Sequence, residues 1–303
     1  MLSLFPRQIE HLRANRTGQA TILLLVTISA LLALGLATFR LQHLGLEKTA
    51  VANGIDAVAL SAATWEARGL NVIAALNDGI LQALRLIRWT CVVWAALAIA
   101  ACFGATGPFL EYSRRAPKIL RNLWSCALQL SSWSVKVKEA TPWLVLQETA
   151  SLSKRYGLKG ALFPFDPRGA HDGKNTLELH LSPGPPMTFA DAISPITRVP
   201  GKIAKWKWAR KIARMITSVI DRALRGILGP MPGSIRMLVP EEDLPRRQKV
   251  RFAGGRLPSP LPIPFFPQPH NPPLSDFAVG EVYGGGAAEM TWKSRLSREW
   301  KSP

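Results

Sequence analysis

The chain has 303 residues, with 38 Lys or Arg against 20 Asp or Glu, a formal charge of +18. That length admits one membrane region plus one soluble domain of ordinary size. Three cysteines (Cys91, Cys102 and Cys126) are odd in number and lack paired spacing, so they read as packing thiols and not as a disulfide framework. The charge is uneven: residues 1–110 are net +3 and residues 111–303 net +15. The second part is therefore drawn to anionic lipid, nucleic acid or an acidic partner, or presents a basic surface to solvent.

Residues 1–19 form a short leader carrying Arg13 and Arg16. ATILLLVTISALLALGLAT follows at 20–38 with no charge. A basic foot and an uncharged run of this length mark a membrane span with its N-terminus on the cytoplasmic side. No small-x-small site ends a short apolar core, so the segment is expected to remain as an anchor. Ser29, Ala33 and Ala37 recur every four residues and leave a smooth stripe where another helix can approach.

Residues 39–87 carry apolar positions at helical spacing, among them Leu41, Val51, Ile55, Val58, Leu70, Ile73, Ile80 and Leu84. No proline falls between Gln8 and Gly107. Interleaved Asn53, Asp56, Glu66, Asn71, Asn77 and Asp78 are too frequent for lipid, so this part is expected to leave the bilayer and pack on another helix. Residues 20–87 thus read as one long helix. Residues 88–110 read as a second apolar helix, since 89–110 carry no charge, Trp89 and Trp94 lie at one end, and Arg114, Arg115, Lys118 and Arg121 follow the other. The positive-inside rule makes this a second span returning to the cytoplasm; a buried helix of an external domain is the competing reading.

Residues 111–256 read as a basic α+β domain. Leu120, Leu123, Trp124, Ala127, Leu128 and Leu130 begin a helix that Pro142 is expected to break. TLELHL at 176–181 alternates like a strand, and IRMLV at 235–239 is a second short one. Residues 202–228 form the clearest amphipathic helix, with Trp206 and Trp208 near its start and Lys207, Arg210, Lys211 and Arg214 on its basic face. It can pack on the domain, lie on anionic lipid or meet an acidic partner. Nucleic acid is disfavoured because no recognisable nucleic-acid fold accompanies it. Eight prolines in residues 257–273 make an extended strap. In 274–303, FAVGEVY and MTWKSRL flank the glycines 284–286 and read as a β-hairpin.

No catalytic constellation emerges. The glycine run lacks the Lys-Ser/Thr of a phosphate loop, and no nucleophile–base–acid set is visible. His171, Asp172, Glu178 and His180 are too few convergent ligands for a metal site, although Glu178 and His180 would share one strand face. They read as solvated polar residues. The chain is read as non-enzymatic, without cofactor or metal.

Two groups of residues carry a family resemblance: Arg16-Thr17-Gly18-Gln19-Ala20 before the apolar run, and Asn53-Gly54-Ile55-Asp56-Ala57-Val58-Ala59-Leu60-Ser61-Ala62-Ala63 beyond it. The chain resembles the TadE/TadG-like family of tight-adherence (Flp) pilus assembly over about a quarter of its length; TWEARGLNVIAALN and GEVYGGG…WKSRL extend the likeness. The resemblance implies a bacterial inner-membrane anchor with a pseudopilin-like helix, serving pilus assembly or secretion. Its partners would be membrane lipids and other pilus-assembly or pseudopilin-like membrane proteins, or a second copy. Ser29, Ala33, Ala37, Asn53, Asp56 and Asn71 become the candidate helix-packing contacts. Processed members carry a glutamate five residues after the cleavage-site glycine. Leu23 stands there when counted from Gly18, so cleavage between Gly18 and Gln19 is not expected. The metal motif of large members is also missing. The family places everything after the first span outside the cytoplasm, whereas Arg114 to Arg121 argue for a return, so the side of the C-terminal part stays open.

The expected fold is mainly α and membrane-anchored: a long N-terminal transmembrane helix, a second transmembrane helix, then a basic α+β domain with a small antiparallel sheet. The expected function is a non-enzymatic inner-membrane component of a Tad/Flp-type pilus or secretion apparatus. The alternative is a hairpin-anchored protein whose basic cytoplasmic domain binds anionic lipid or an acidic partner.

Overall fold

A computed structural model describes residues 16–104, 106–163, 177–197, 231–241, 248–259 and 273–297. Helix α1, Arg16–Cys102, runs for 87 residues without a break. At 1.5 Å per residue it is a rod of about 130 Å. The proline-free sequence allows this length, and tertiary packing along its second half sustains it. Gly104, at φ 103°, turns the chain. Helix α2, Thr106–Arg155, then returns along α1. It ends where the Gly157 and Leu158 N–H groups bond back to the carbonyls of Lys154 and Ser153, with Gly157 at φ 63°.

The uncharged segment 89–110 is therefore not one helix. Residues 88–102 continue α1, and the turn at its end separates them from the start of α2. The length that suggested a second span is divided between two antiparallel arms. Sequence periodicity could not place this turn, because apolar residues continue on both sides of it.

Pro142 does not interrupt α2, and neither does Pro117. Next to Pro142, Thr141 is buried and its hydroxyl donates to the Val137 carbonyl at 2.8 Å. Packing against α1 holds the helix through a position that costs it one backbone hydrogen bond.

Four strands form an antiparallel sheet in the order β1 (Lys159–Phe163), β4 (Lys249–Arg256), β5 (Leu274–Tyr283), β6 (Lys293–Leu296). Val282 pairs with Ser294 and Phe252 with Ala278, so the expected C-terminal hairpin forms and its first strand continues the sheet. A separate ribbon pairs β2 (Leu181–Pro183) with β3 (Leu238–Pro240). The segment 177–180 lies outside the strands, so TLELHL contributes only its last residue to β2. Helix α3, Phe189–Thr197, opens with a reciprocal cap: the Thr188 N–H bonds the Asp191 carboxylate, and the Asp191 N–H bonds the Thr188 hydroxyl. The Thr188 hydroxyl, donating to the Asp191 carboxylate at 2.6 Å, and then the Thr188 N–H hold that carboxyl below its ordinary pKa.

The core lies along α1. At its far end Ile80, Leu84, Ile87, Cys91 and Trp94 pack with Ala116, Leu120, Trp124 and Ala127 of α2, as the helical spacing of both segments requires. Trp124 meets Phe189 edge-on at 5.3 Å between centroids. Nearer the N-terminus Val51, Ile55, Val58 and Ala59 pack with Phe252 and Ala278 of the sheet. Leu41, in the same periodic series, is exposed. Of the three cysteines only Cys91 is buried; Cys102 and Cys126 are exposed and do not pack.

Candidate functional site: the bare stretch of helix α1 and the polar seam behind it

The described residues contain one helix long and apolar enough to cross a membrane, by length and composition. None of its most apolar window is buried by the described residues. Ile22, Leu25, Leu32 and Leu34 are all more than 60% exposed. The hydroxyls in this stretch are satisfied within the helix: Ser29 donates to the Leu25 carbonyl at 2.8 Å and Thr27 to Leu23 at 2.8 Å. The surface offered outward is thus apolar with no unmet donor, as a lipid or helix contact requires.

The six residues singled out for helix packing fall into separate environments. Ser29, Ala33, Ala37 and Asn53 are exposed, and Asp56 is half-buried. Asn71 faces the chain's own C-terminal part. Its amide donates to the Trp292 carbonyl at 3.1 Å and its carbonyl accepts from the Trp292 N–H at 3.0 Å. Asn71 acts as an internal clamp between α1 and the segment before β6.

The small residues after Asn53 have an internal role too. Ala59, Ala62 and Ala63 are fully buried. A Cβ added to Gly280 of β5 would lie 2.9 Å from the Ala63 Cβ, and one added to Gly54 would lie 3.2 Å from Leu158. Small side chains here let the sheet cross α1 at close range.

Behind this crossing sits a polar seam. Glu66 is completely buried, on the apolar face that Ala59, Ala62, Ala63, Leu70 and Ile73 define. Burial pushes its carboxyl well above the usual carboxylate range, an effect opposed in part by the Gln248 amide beside it. Gln248 is itself buried, and its side-chain oxygen lies 3.3 Å from the His180 N–H and 3.4 Å from His180 Nδ1. Asn77 donates to the carbonyls of Leu238 at 2.7 Å and Ala287 at 2.6 Å. A carboxyl within an apolar helical stripe was the readable signal for this seam; the partners, drawn from distant segments, had none.

His180 is buried, 7% exposed, whereas Glu178 is exposed, so they do not form the shared solvated face expected of them. Among the described residues no three His, Cys, Asp or Glu side chains are grouped as a metal site would need. His171, Asp172, most of the proline strap and helix 202–228 with Trp206, Lys207, Trp208, Arg210, Lys211 and Arg214 lie outside the described residues. Gly18 and Gln19 lie in the first turns of α1.

No protein-family model matches the chain, nor does any curated protein or solved structure.

Proposed function

We propose that the protein is a non-enzymatic, membrane-anchored component of a Tad/Flp-type pilus or related secretion apparatus in a bacterial inner membrane, acting through helix–helix packing. The observation that carries the reading is the division of α1. Its first stretch is apolar and bare, and its second is packed across an antiparallel sheet and against α2. This supports the pseudopilin-like helix that the resemblance implies: an anchor joined rigidly to a folded body. An uncharged helical surface this long is too apolar to stay in water, so lipid and partner helices are its natural covering. Within it the Ser29, Ala33 and Ala37 strip is where a partner helix approaches most closely.

Site-specific photo-crosslinking from position 26, two turns before Ala33 on the same face of α1 and exposed, tests this in native membranes. Crosslinks to other apparatus proteins or to a second copy are expected, and an Ala33→Trp substitution should abolish them without preventing membrane insertion. Crosslinks to lipid alone, with normal assembly in the Trp variant, would refute the helix-packing reading. Anchoring through a two-span hairpin has less support. From Trp89 to Cys102 the uncharged arm rises only about 20 Å, short of a hydrocarbon core of about 30 Å.

A further inference from the structure

The far end of the rod is another apolar surface among the described residues, and it is built differently from the 20–38 stretch. At the hairpin tip Phe103 is 86% exposed and Leu110 58%. The described residues leave this surface uncovered. The inner faces of the two arms are already paired: Trp94 Nε1 donates to the Ser113 hydroxyl at 2.9 Å, and the Tyr112 hydroxyl donates to the Thr90 carbonyl at 3.4 Å. The first of these bonds places Ser113 beside Trp94, just where the basic residues of α2 begin. Arg114, Arg115 and Lys118 are all exposed there. One carboxylate is present among them, Glu111, and it is paired with Arg115 at 2.8 Å.

The order along the axis is thus an apolar apex, then a collar of cations. Apolar groups reach the acyl chains of an anionic lipid leaflet, and cations meet its phosphates. The dimensions fit one leaflet. From Trp94 to Phe103 α1 rises about 14 Å, about half of a hydrocarbon core of about 30 Å. The turn can enter such a layer, because the N–H groups of Phe103, Gly104 and Thr106 are bonded to the carbonyls of Ala100, Ala101 and Gly104.

We propose that the α1–α2 hairpin tip inserts into one leaflet of an anionic bilayer, with Phe103 and Leu110 in the acyl region and Arg114, Arg115 and Lys118 on the phosphates. Because α1 is unbroken, the tip stands about 95 Å from the end of the 20–38 segment. It therefore reaches a lipid surface other than the one that holds an anchor in that segment.

The test places the full chain in phosphatidylcholine nanodiscs and measures capture of labelled vesicles, with empty nanodiscs as background. Vesicles containing phosphatidylglycerol should be captured at least tenfold better than pure phosphatidylcholine vesicles. The Phe103→Glu/Leu110→Glu variant, altered only at exposed positions, should lose that capture, and Arg114→Glu/Lys118→Glu should lose the anionic preference. Undiminished capture by the tip variant would overturn the proposal. So would nanodiscs that pair with one another in place of binding vesicles, an outcome that assigns the tip to a second copy. A chain that stays out of nanodiscs would count against the anchor and not against the tip. Flotation of that chain with the same vesicles and variants then decides the tip: loss of flotation in the Phe103→Glu/Leu110→Glu variant supports it, and unchanged flotation overturns it.

Discussion

Gly280, in the middle of β5, lies against the main chain of α1 at Ala59, so that a Cβ added to it would come 3.0 Å from the Ala59 carbonyl carbon and 2.9 Å from the Ala63 side chain. Nothing soft is available to yield: the obstacle is helix backbone on one side and a buried methyl on the other. Gly280→Ala should therefore destabilise the folded body by about 3 kcal/mol, the upper range for overpacking. The measurement is denaturant unfolding of the protein in detergent. A variant as stable as the parent would mean that the sheet does not cross α1 here.

A second close approach joins the two long helices. A Cβ on Gly69 would meet the Thr141 hydroxyl at 2.5 Å and its methyl at 2.7 Å. Gly69→Ala should cost stability even though alanine is the better helix former. With Thr141→Gly in the background the same change should be far milder, giving a coupling of about 1–2 kcal/mol in a double-mutant cycle. Additive effects would place the two residues apart.

Asn71 closes two hydrogen bonds on a single residue, Trp292. Asn71→Ala would leave the Trp292 N–H and carbonyl without that partner, at a cost of about 2 kcal/mol. Hydrogen exchange should quicken in residues 290–296 more than in α2. Uniform acceleration across the molecule would contradict a local clamp.

Glu66 makes stability depend on pH. Its folded-state pKa is raised by burial, so the folded protein keeps a proton that the unfolded chain gives up at lower pH. Stability is greatest below the ordinary carboxylate pKa and falls as pH rises from there through the raised value. Glu66→Gln keeps the shape and removes the titration. It should be more stable than the parent at neutral pH, with the difference closing in acid. Thermal melts of both proteins across that range provide the comparison; equal melting temperatures at neutral pH would show that the carboxylate is not buried.

Local chemistry determined much of the architecture. A proline-free run with helical spacing dictates a long helix, because each residue adds its hydrogen bond without tertiary help in choosing the pattern. The charge-free stretch 20–38 is long and apolar enough to cross a membrane, which its composition alone shows. FAVGEVY and MTWKSRL, two strand-like runs either side of three glycines, specify a hairpin. Only the tertiary structure decided where α1 turns, since Ala, Cys, Phe and Leu are equally at home on either side of Gly104. It also decided what the Ala- and Gly-rich stretch after Asn53 touches. Small side chains announce a close approach but not its partner, and here β5 of the same chain lies on it. The seam of Glu66, Gln248 and His180 belongs wholly to that second class. Burial and hydrogen bonding between residues so distant in sequence exist only once the sheet has closed over the helix.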